Sequence, residues 1–225
     1  MFENLHRLRG PRARRASSGR DTTGAALVLM ALGLAVSGHS AAQGDPAAGQ
    51  AKSVTCAACH GADGNSVNPE WPSLAGQHAG YTVRQLQAYQ SNARNNVLMI
   101  GQAAALSEQD MWDLAAFYET QTPRPMAAAP GDLALGQRIY RGGNPATGVS
   151  ACIACHGPRG LGNPAADYPR VSGQHARYLY DTLGHYADGS RQSDGGRLGQ
   201  MMRSIASRMS DEEMRAVSAF MQGLQ

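Results

Sequence analysis

The sequence predicts an all-α protein built as two tandem, related helical domains. Three observations carry this prediction. Long stretches recur at a period of about 97 residues, with "GDPAAGQ" (Gly44–Gln50) returning as "GDLALGQ" (Gly131–Gln137) and "WPSLAGQHAGY" (Trp71–Tyr81) as "YPRVSGQHARY" (Tyr168–Tyr178). "LSEQDMWDLAAFY" (Leu106–Tyr118) returns as "MSDEEMRAVSAFM" (Met209–Met221), and in the first copy Met111, Leu114, Ala115 and Tyr118 fall at helical spacing. Finally, no convincing alternation of apolar and polar residues marks a strand, and Ser66–Gly76 and Gly157–Gly173 read as irregular loops rich in Gly, Pro and Asn. Two copies at so long a period indicate domain duplication, not a solenoid.

Taken in order, residues 1–42 read as a cleaved secretory signal. Six arginines from Arg7 to Arg20 make a basic start, Gly24–Val36 is an apolar run, and Ser40-Ala41-Ala42 supplies the small residues of a cleavage site. The apolar run is shorter than the roughly 20 residues of a transmembrane helix. Residues 43–122 form the first expected domain and 131–225 the second. The segment 123–130 between them, within the three-proline stretch Gln121–Pro130, reads as a linker. In each copy a serine (Ser107, Ser210) precedes the last apolar run, with an acid three residues on (Asp110, Glu213), as in a capping box. The second copy carries extra residues before its cysteines and again after Arg191.

Charge narrows the function classes. The whole chain has a formal net charge of +3, but the excess lies in the leader; from Gln43 onward 14 basic residues face 15 acidic ones. Nucleic-acid binding loses its support. The remainder is uneven: residues 43–125 carry a net −3 and 126–225 a net +2, an asymmetry able to orient the protein on charged partners.

All four cysteines lie in two C-x-x-C-H motifs, Cys56-Ala-Ala-Cys59-His60 and Cys152-Ile-Ala-Cys155-His156. Zinc would need a fourth ligand, usually from a second Cys or His pair nearby, and none is close. A thioredoxin-type redox pair expects a βαβ setting. Structural disulfides would leave the repeated histidines without a role. Covalent haem c uses every residue: two thioethers to the porphyrin and an adjacent histidine under the iron. Two such motifs in an exported, duplicated chain predict two covalently attached haems. Each half also has the thin core that a bulky cofactor would fill. For the sixth ligand the repeat offers His78 with His175 in "GQHA", or Met99 with Met202. The methionines are favoured, because each lies seven residues before equivalent positions (Leu106, Met209) and a thioether favours reduced iron. Met201 is the alternative at the second iron. Arg94 and Arg191 read either as partners of haem propionates or as solvated loop arginines. The paired tyrosines Tyr81, Tyr89, Tyr178 and Tyr186 read as haem or core contacts, and His185 as a surface residue.

"CAACHGADGNSVNPEWPSLAGQ" and "CIACHGPRGLGNPAADYPRVSGQ" resemble the two haem segments of the cytochrome c4 family, and the resemblance spans the chain after its leader. It implies two class I cytochrome c domains related by a pseudo-twofold, each wrapped around one His/Met haem, with Pro72 and Pro169 supplying carbonyls to the axial histidines. It further implies a periplasmic carrier with no enzyme activity, passing electrons from the quinol-oxidising cytochrome complex toward a terminal haem–copper oxidase. A monomer is expected, with peripheral association to the membrane surface compatible with that role. An electron-accepting subunit of a periplasmic dehydrogenase is the alternative, and a di-haem peroxidase a more distant one that the paired methionines disfavour.

Overall fold

Asp45 starts the first helix by accepting a hydrogen bond from the Ala47 N–H, with Pro46 at the first helical position, where its missing N–H costs nothing. The structure is a computed structural model that describes residues 44–191 and 196–225; the expected signal segment and the core of the second insertion lie outside these residues. In the first half the helices are α1 (Pro46–Lys52), α2 (Val54–His60), α3 (Ala79–Gln90), α4 (Val97–Ala103) and α5 (Glu108–Thr120). The second half repeats them as α6 (Leu133–Gly142), α7 (Ile153–His156), α8 (Ala176–Ala187), α9 (Arg197–Ala206) and α10 (Asp211–Gln222). Among the described residues extended pairing is limited to isolated bridges, Arg94 with Arg191, Asn144 with Val149 and Asn163 with Tyr168. Both capping boxes form, with Ser107 and Asp110 at α5 and Ser210 and Glu213 at α10 each satisfying the other's backbone N–H.

Each half is organised by one close crossing of its first and last helices. A Cβ built on Gly49 would stand 2.0 Å from the Asp113 carbonyl oxygen and 2.8 Å from the Phe117 Cβ. On Gly136 it would stand 2.2 Å from the Ala216 carbonyl oxygen and 2.8 Å from the Phe220 Cβ. Only glycine permits this approach, and the aromatic ring one turn on packs over the gap. Lys52 fastens the first crossing. Its ammonium lies 2.7 Å from Asp110 and also pairs with the buried Asp113, both on α5.

The hydrogen bonds to Lys52 hold the carboxyls of Asp110 and Asp113 below the ordinary aspartate range. Hydrogen bonds to Asp110, then Asp113, raise the Lys52 pKa above its ordinary value. Depressed carboxyls stabilise the fold above their unfolded pKa and lose that contribution as pH falls through the folded one; a raised lysine loses its contribution as pH rises through its folded pKa. The cluster therefore supports the fold between mildly acidic and strongly alkaline pH. Lys52→Gln is expected to move the acid-unfolding midpoint of the first half to higher pH, with little change in the second half, as read by circular dichroism and the Soret band during acid titration.

The protein cores are uneven. Ile139, Tyr140, Val149, Leu179, Leu183, Met214 and Val217 belong to one large buried cluster in the second half. The first half has two small ones, Val83, Met111 and Ala115, and Leu114, Phe117 and Tyr118. Between α5 and α6 the chain has no helix, yet it is pinned. Asn65 reaches the Thr122 carbonyl and the Arg124 N–H, and Gln222 reaches the Ala127 carbonyl. Both halves fall within a single compact unit.

Candidate cofactor site

The repeat returns in three dimensions as a reciprocal contact between the halves. Gln77 donates to the Arg170 carbonyl and accepts from the Arg170 N–H, both at 3.0 Å. Its counterpart Gln174 does the same with Ser73, both at 2.9 Å. The next residue in each copy crosses as well: His78 Nε2 donates to the Leu161 carbonyl at 2.8 Å and His175 Nε2 to the Ser66 carbonyl at 2.9 Å. The "GQH" triplets are therefore clamps between the halves, and both histidines use Nε2 on backbone oxygens. The sequence signal was present, an identical triplet at an identical place, but its purpose depends on a neighbour about 100 residues away.

Arg94 and Arg191 are drawn into the same interface instead of standing in solvent. Arg191, 3 % exposed, donates to Tyr81 and to Gln85, both of the first half. Arg94 donates to the same Gln85 oxygen and to Tyr178 of the second half. Each guanidinium lies over a tyrosine of its own half, Tyr89 and Tyr186, at 4.7 Å. Although burial alone would raise the Tyr178 phenol, Arg94 and Arg191 bring it down to about 8. His185 is exposed, as its sequence setting suggests.

One cavity of about 980 Å³ runs through both halves, at the upper end of the range for ligand sites. Its lining includes Cys56, Cys59, His60 and Met99 from the first half, and Cys152, Cys155, His156, Met201 and Met202 from the second. None of the four cysteines is paired in a disulfide. Among the described residues no three His, Cys, Asp or Glu side chains converge on a point able to hold a metal ion.

The histidines show what the cavity is built for. His60 donates its Nδ1–H to the Pro72 carbonyl at 2.8 Å, and His156 donates its own to the Pro169 carbonyl at 2.9 Å. This bond fixes the tautomer and leaves the Nε2 lone pair free to bind iron. Burial lowers both imidazole pKa values, only partly opposed by the proline bonds, which keeps the rings neutral. Proline is apt here, since with no N–H of its own it commits only its carbonyl. Tyr140, on α6, likewise donates to the Gly157 carbonyl next to His156 at 2.6 Å and steadies that turn.

The methionines sit on short helices, Met99 on α4 and Met202 on α9. Asn96 caps α4 by accepting from the Met99 N–H at 3.0 Å, so the cap fixes the backbone of the methionine itself. Met202 lies in α9 and packs against the second-half core cluster. Met201 precedes it on the same helix and is half-buried. The signal for α4 was legible in Asn96, an asparagine ahead of an apolar run.

Two helical domains, each with a thioether-forming cysteine pair and a carbonyl-tethered histidine on an apolar cavity, define a c-type cytochrome with two haems. The Cytochrome c family model matches residues 46–122 and 133–225. Cytochrome c4 of Azotobacter vinelandii is 43% identical over 208 residues, covering 88% of this chain and 98% of that protein. Cytochrome c4 of Thiocapsa roseopersicina is 48% identical over 192 residues, covering 83% and 98%. A thiosulfate dehydrogenase electron acceptor of Stutzerimonas stutzeri is 39% identical over 172 residues, covering 74% and 77%. The crystal structure of reduced recombinant cytochrome c4 from Pseudomonas stutzeri superposes with a TM-score of 0.77 at 38% identity, covering 81% of this chain and all of that one. The chain belongs to the cytochrome c4 family. It is a di-haem electron-transfer protein, carrying two covalently attached haem c groups, and not an enzyme.

Proposed function

We propose that this chain is a periplasmic carrier whose first iron is held by His60 and Met99 and whose second is held by His156 and Met202. Cys56 with Cys59, and Cys152 with Cys155, form the thioethers. The iron supplies one-electron exchange; the protein supplies ligation, burial and orientation. The observation that carries the reading is the pair of Nδ1–carbonyl bonds, His60 to Pro72 and His156 to Pro169, on the wall of a cavity that both methionines also line. His78 and His175 are poor rivals as ligands, because each already spends Nε2 on a carbonyl. The domain limits proposed are 43–122 and 131–225, with 123–130 as the linker. Export by the segment 1–42 supplies the compartment in which c-type haem is attached; among the described residues no helix is long and apolar enough to cross a membrane.

For partners, the reading is transfer from a quinol-oxidising complex toward a terminal haem–copper oxidase, by a monomer at or near the membrane surface. The relative described as a thiosulfate dehydrogenase electron acceptor supports a second reading, acceptance of electrons from a periplasmic dehydrogenase. The first test is haem stoichiometry. Acid–acetone extraction is expected to leave two haems on each chain, measured as the pyridine haemochrome, and one or none retained overturns the ligation scheme. Steady-state reduction by a quinol-oxidising complex and by a thiosulfate dehydrogenase, compared side by side, then separates the two donor readings.

A further inference from the structure

Each half buries one tyrosine beside its cysteine motif, but the two come from opposite helices. In the first half it is Tyr118, on the last helix α5; in the second it is Tyr140, on the first helix α6. Aligned by the repeat, Tyr118 corresponds to Met221 and Tyr140 to Ser53. All four side chains are buried. Large and small have changed places across the crossing of first and last helices, which conserves the volume filled. Packing therefore accounts for one aromatic ring in each half. It does not account for the hydroxyls, because phenylalanine fills the same space without burying a polar atom.

The two hydroxyls end in different surroundings. Tyr140 donates its O–H to the Gly157 carbonyl at 2.6 Å. Tyr118 is 2% exposed, and its hydroxyl, closed off from solvent, meets no hydrogen-bond partner among the described residues. The polar side chains beside it are Cys56 and Ser53. Ser53 already donates its own proton to the Gln50 carbonyl at 2.8 Å. The Tyr118 ring is held in place. It lies 5.0 Å from the Phe117 ring, centroid to centroid, and a Cβ built on Gly64 would stand 2.7 Å from its edge. Cys56 packs against the same small cluster, and both Cys56 and Tyr118 line the cavity. Burial raises the phenol's pKa, so the group keeps its proton and stays a donor. A buried donor without an acceptor is destabilising, and a thioether sulfur, which has lone pairs and no proton, is an acceptor that attachment of the cofactor creates at Cys56.

Resting on the assignment of Cys56 as a thioether, we propose that Tyr118 is a potential-setting residue of the first haem, donating its O–H to the Cys56 sulfur. The positive end of the O–H dipole then faces the porphyrin edge. It draws electron density off the ring through the carbon–sulfur bond and favours reduced iron, which raises the potential of that centre. The second half has no equivalent donor: Tyr140 lies near Cys152, but its O–H is committed to Gly157. One hydroxyl thus sets apart two centres whose ligand sets the repeat makes alike.

The test uses the full holoprotein and two readouts. Resonance Raman spectra of the reduced protein in water and in deuterium oxide are compared at the thioether carbon–sulfur stretch. A deuterium-sensitive mode is expected, and it is expected to vanish in Tyr118→Phe. Spectroelectrochemical titration is expected to show one midpoint potential lowered in Tyr118→Phe and the other unchanged. Repeating the substitution in the Met202→Ala protein, where the second potential is displaced, shows that the centre that moved is the first. Ser53→Ala removes the other polar neighbour and is expected to leave the mode and both potentials in place, as is Tyr140→Phe for the mode. Absence of a deuterium-sensitive carbon–sulfur mode in the unsubstituted protein overturns the proposal whatever the potentials do. Unchanged potentials in Tyr118→Phe overturn it as well, and so does an equal fall at both haems, which marks a general loosening. Fewer than two haems retained by the unsubstituted protein after acid–acetone extraction would instead overturn the thioether assignment beneath it.

Discussion

Met202→Ala is expected to abolish the near-infrared sulfur-to-iron charge-transfer band of one haem and to lower that haem's potential by on the order of a few hundred millivolts. The thioether is a soft ligand that stabilises reduced iron, so its loss favours the oxidised state. Met201→Ala is expected to leave band and potential largely intact. The two side chains leave α9 roughly 100° apart, so only one can aim at the iron. Two independent observations favour Met202. It lies as far ahead of Met209 as Met99 lies ahead of Leu106. It also packs against the cluster that holds Leu179, Leu183, Met209 and Met221, four residues that line the same cavity. Spectroelectrochemical titration of each variant checks both claims, and the reverse pattern would assign Met201. The first haem is an internal reference, since neither substitution touches its half.

Gly136→Val is expected to destabilise the second half by roughly 3 kcal/mol or more, enough to lower yield or prevent haem retention. A Cβ there would sit 2.2 Å from a backbone carbonyl, and a backbone oxygen cannot swing aside as a side chain can. Relief requires α6 and α10 to separate. That movement would unseat Tyr140 from the Phe220 ring, 5.6 Å away, and from the Gly157 carbonyl beside His156. The damage should therefore reach the histidine ligand. Gly142→Ala provides the contrast: it lies at the end of the same helix, with nothing within 4 Å of its added Cβ, and should be tolerated. Thermal unfolding followed at the haem bands and by circular dichroism distinguishes the two. The equivalent first-half substitution, Gly49→Val, faces a contact of 2.0 Å and should behave alike.

The sequence by itself determined the cofactor chemistry and the duplicated helical plan. C-x-x-C-H is a local motif whose meaning rests on spacing along a few residues, and a repeat can be read without knowing how it folds. The capping boxes at Ser107 and Ser210 were equally legible, because an N-cap and its partner lie three residues apart. The two methionine helices were harder. At 7 and 10 residues, α4 and α9 are too short for periodicity to declare them, and they depend on caps and tertiary packing.

Only the tertiary structure decided what the remaining polar residues do. Gln77, His78, Gln174 and His175 bind carbonyls 83 to 109 residues away in the chain, and Arg94 and Arg191 meet across the interface on Gln85. Gln85 has no glutamine counterpart in the second copy, where Thr182 stands, so the repeat could not announce its role. Local chemistry is written in short spacings, whereas a contact between halves depends on where each surface finally lies, which no single stretch of chain contains.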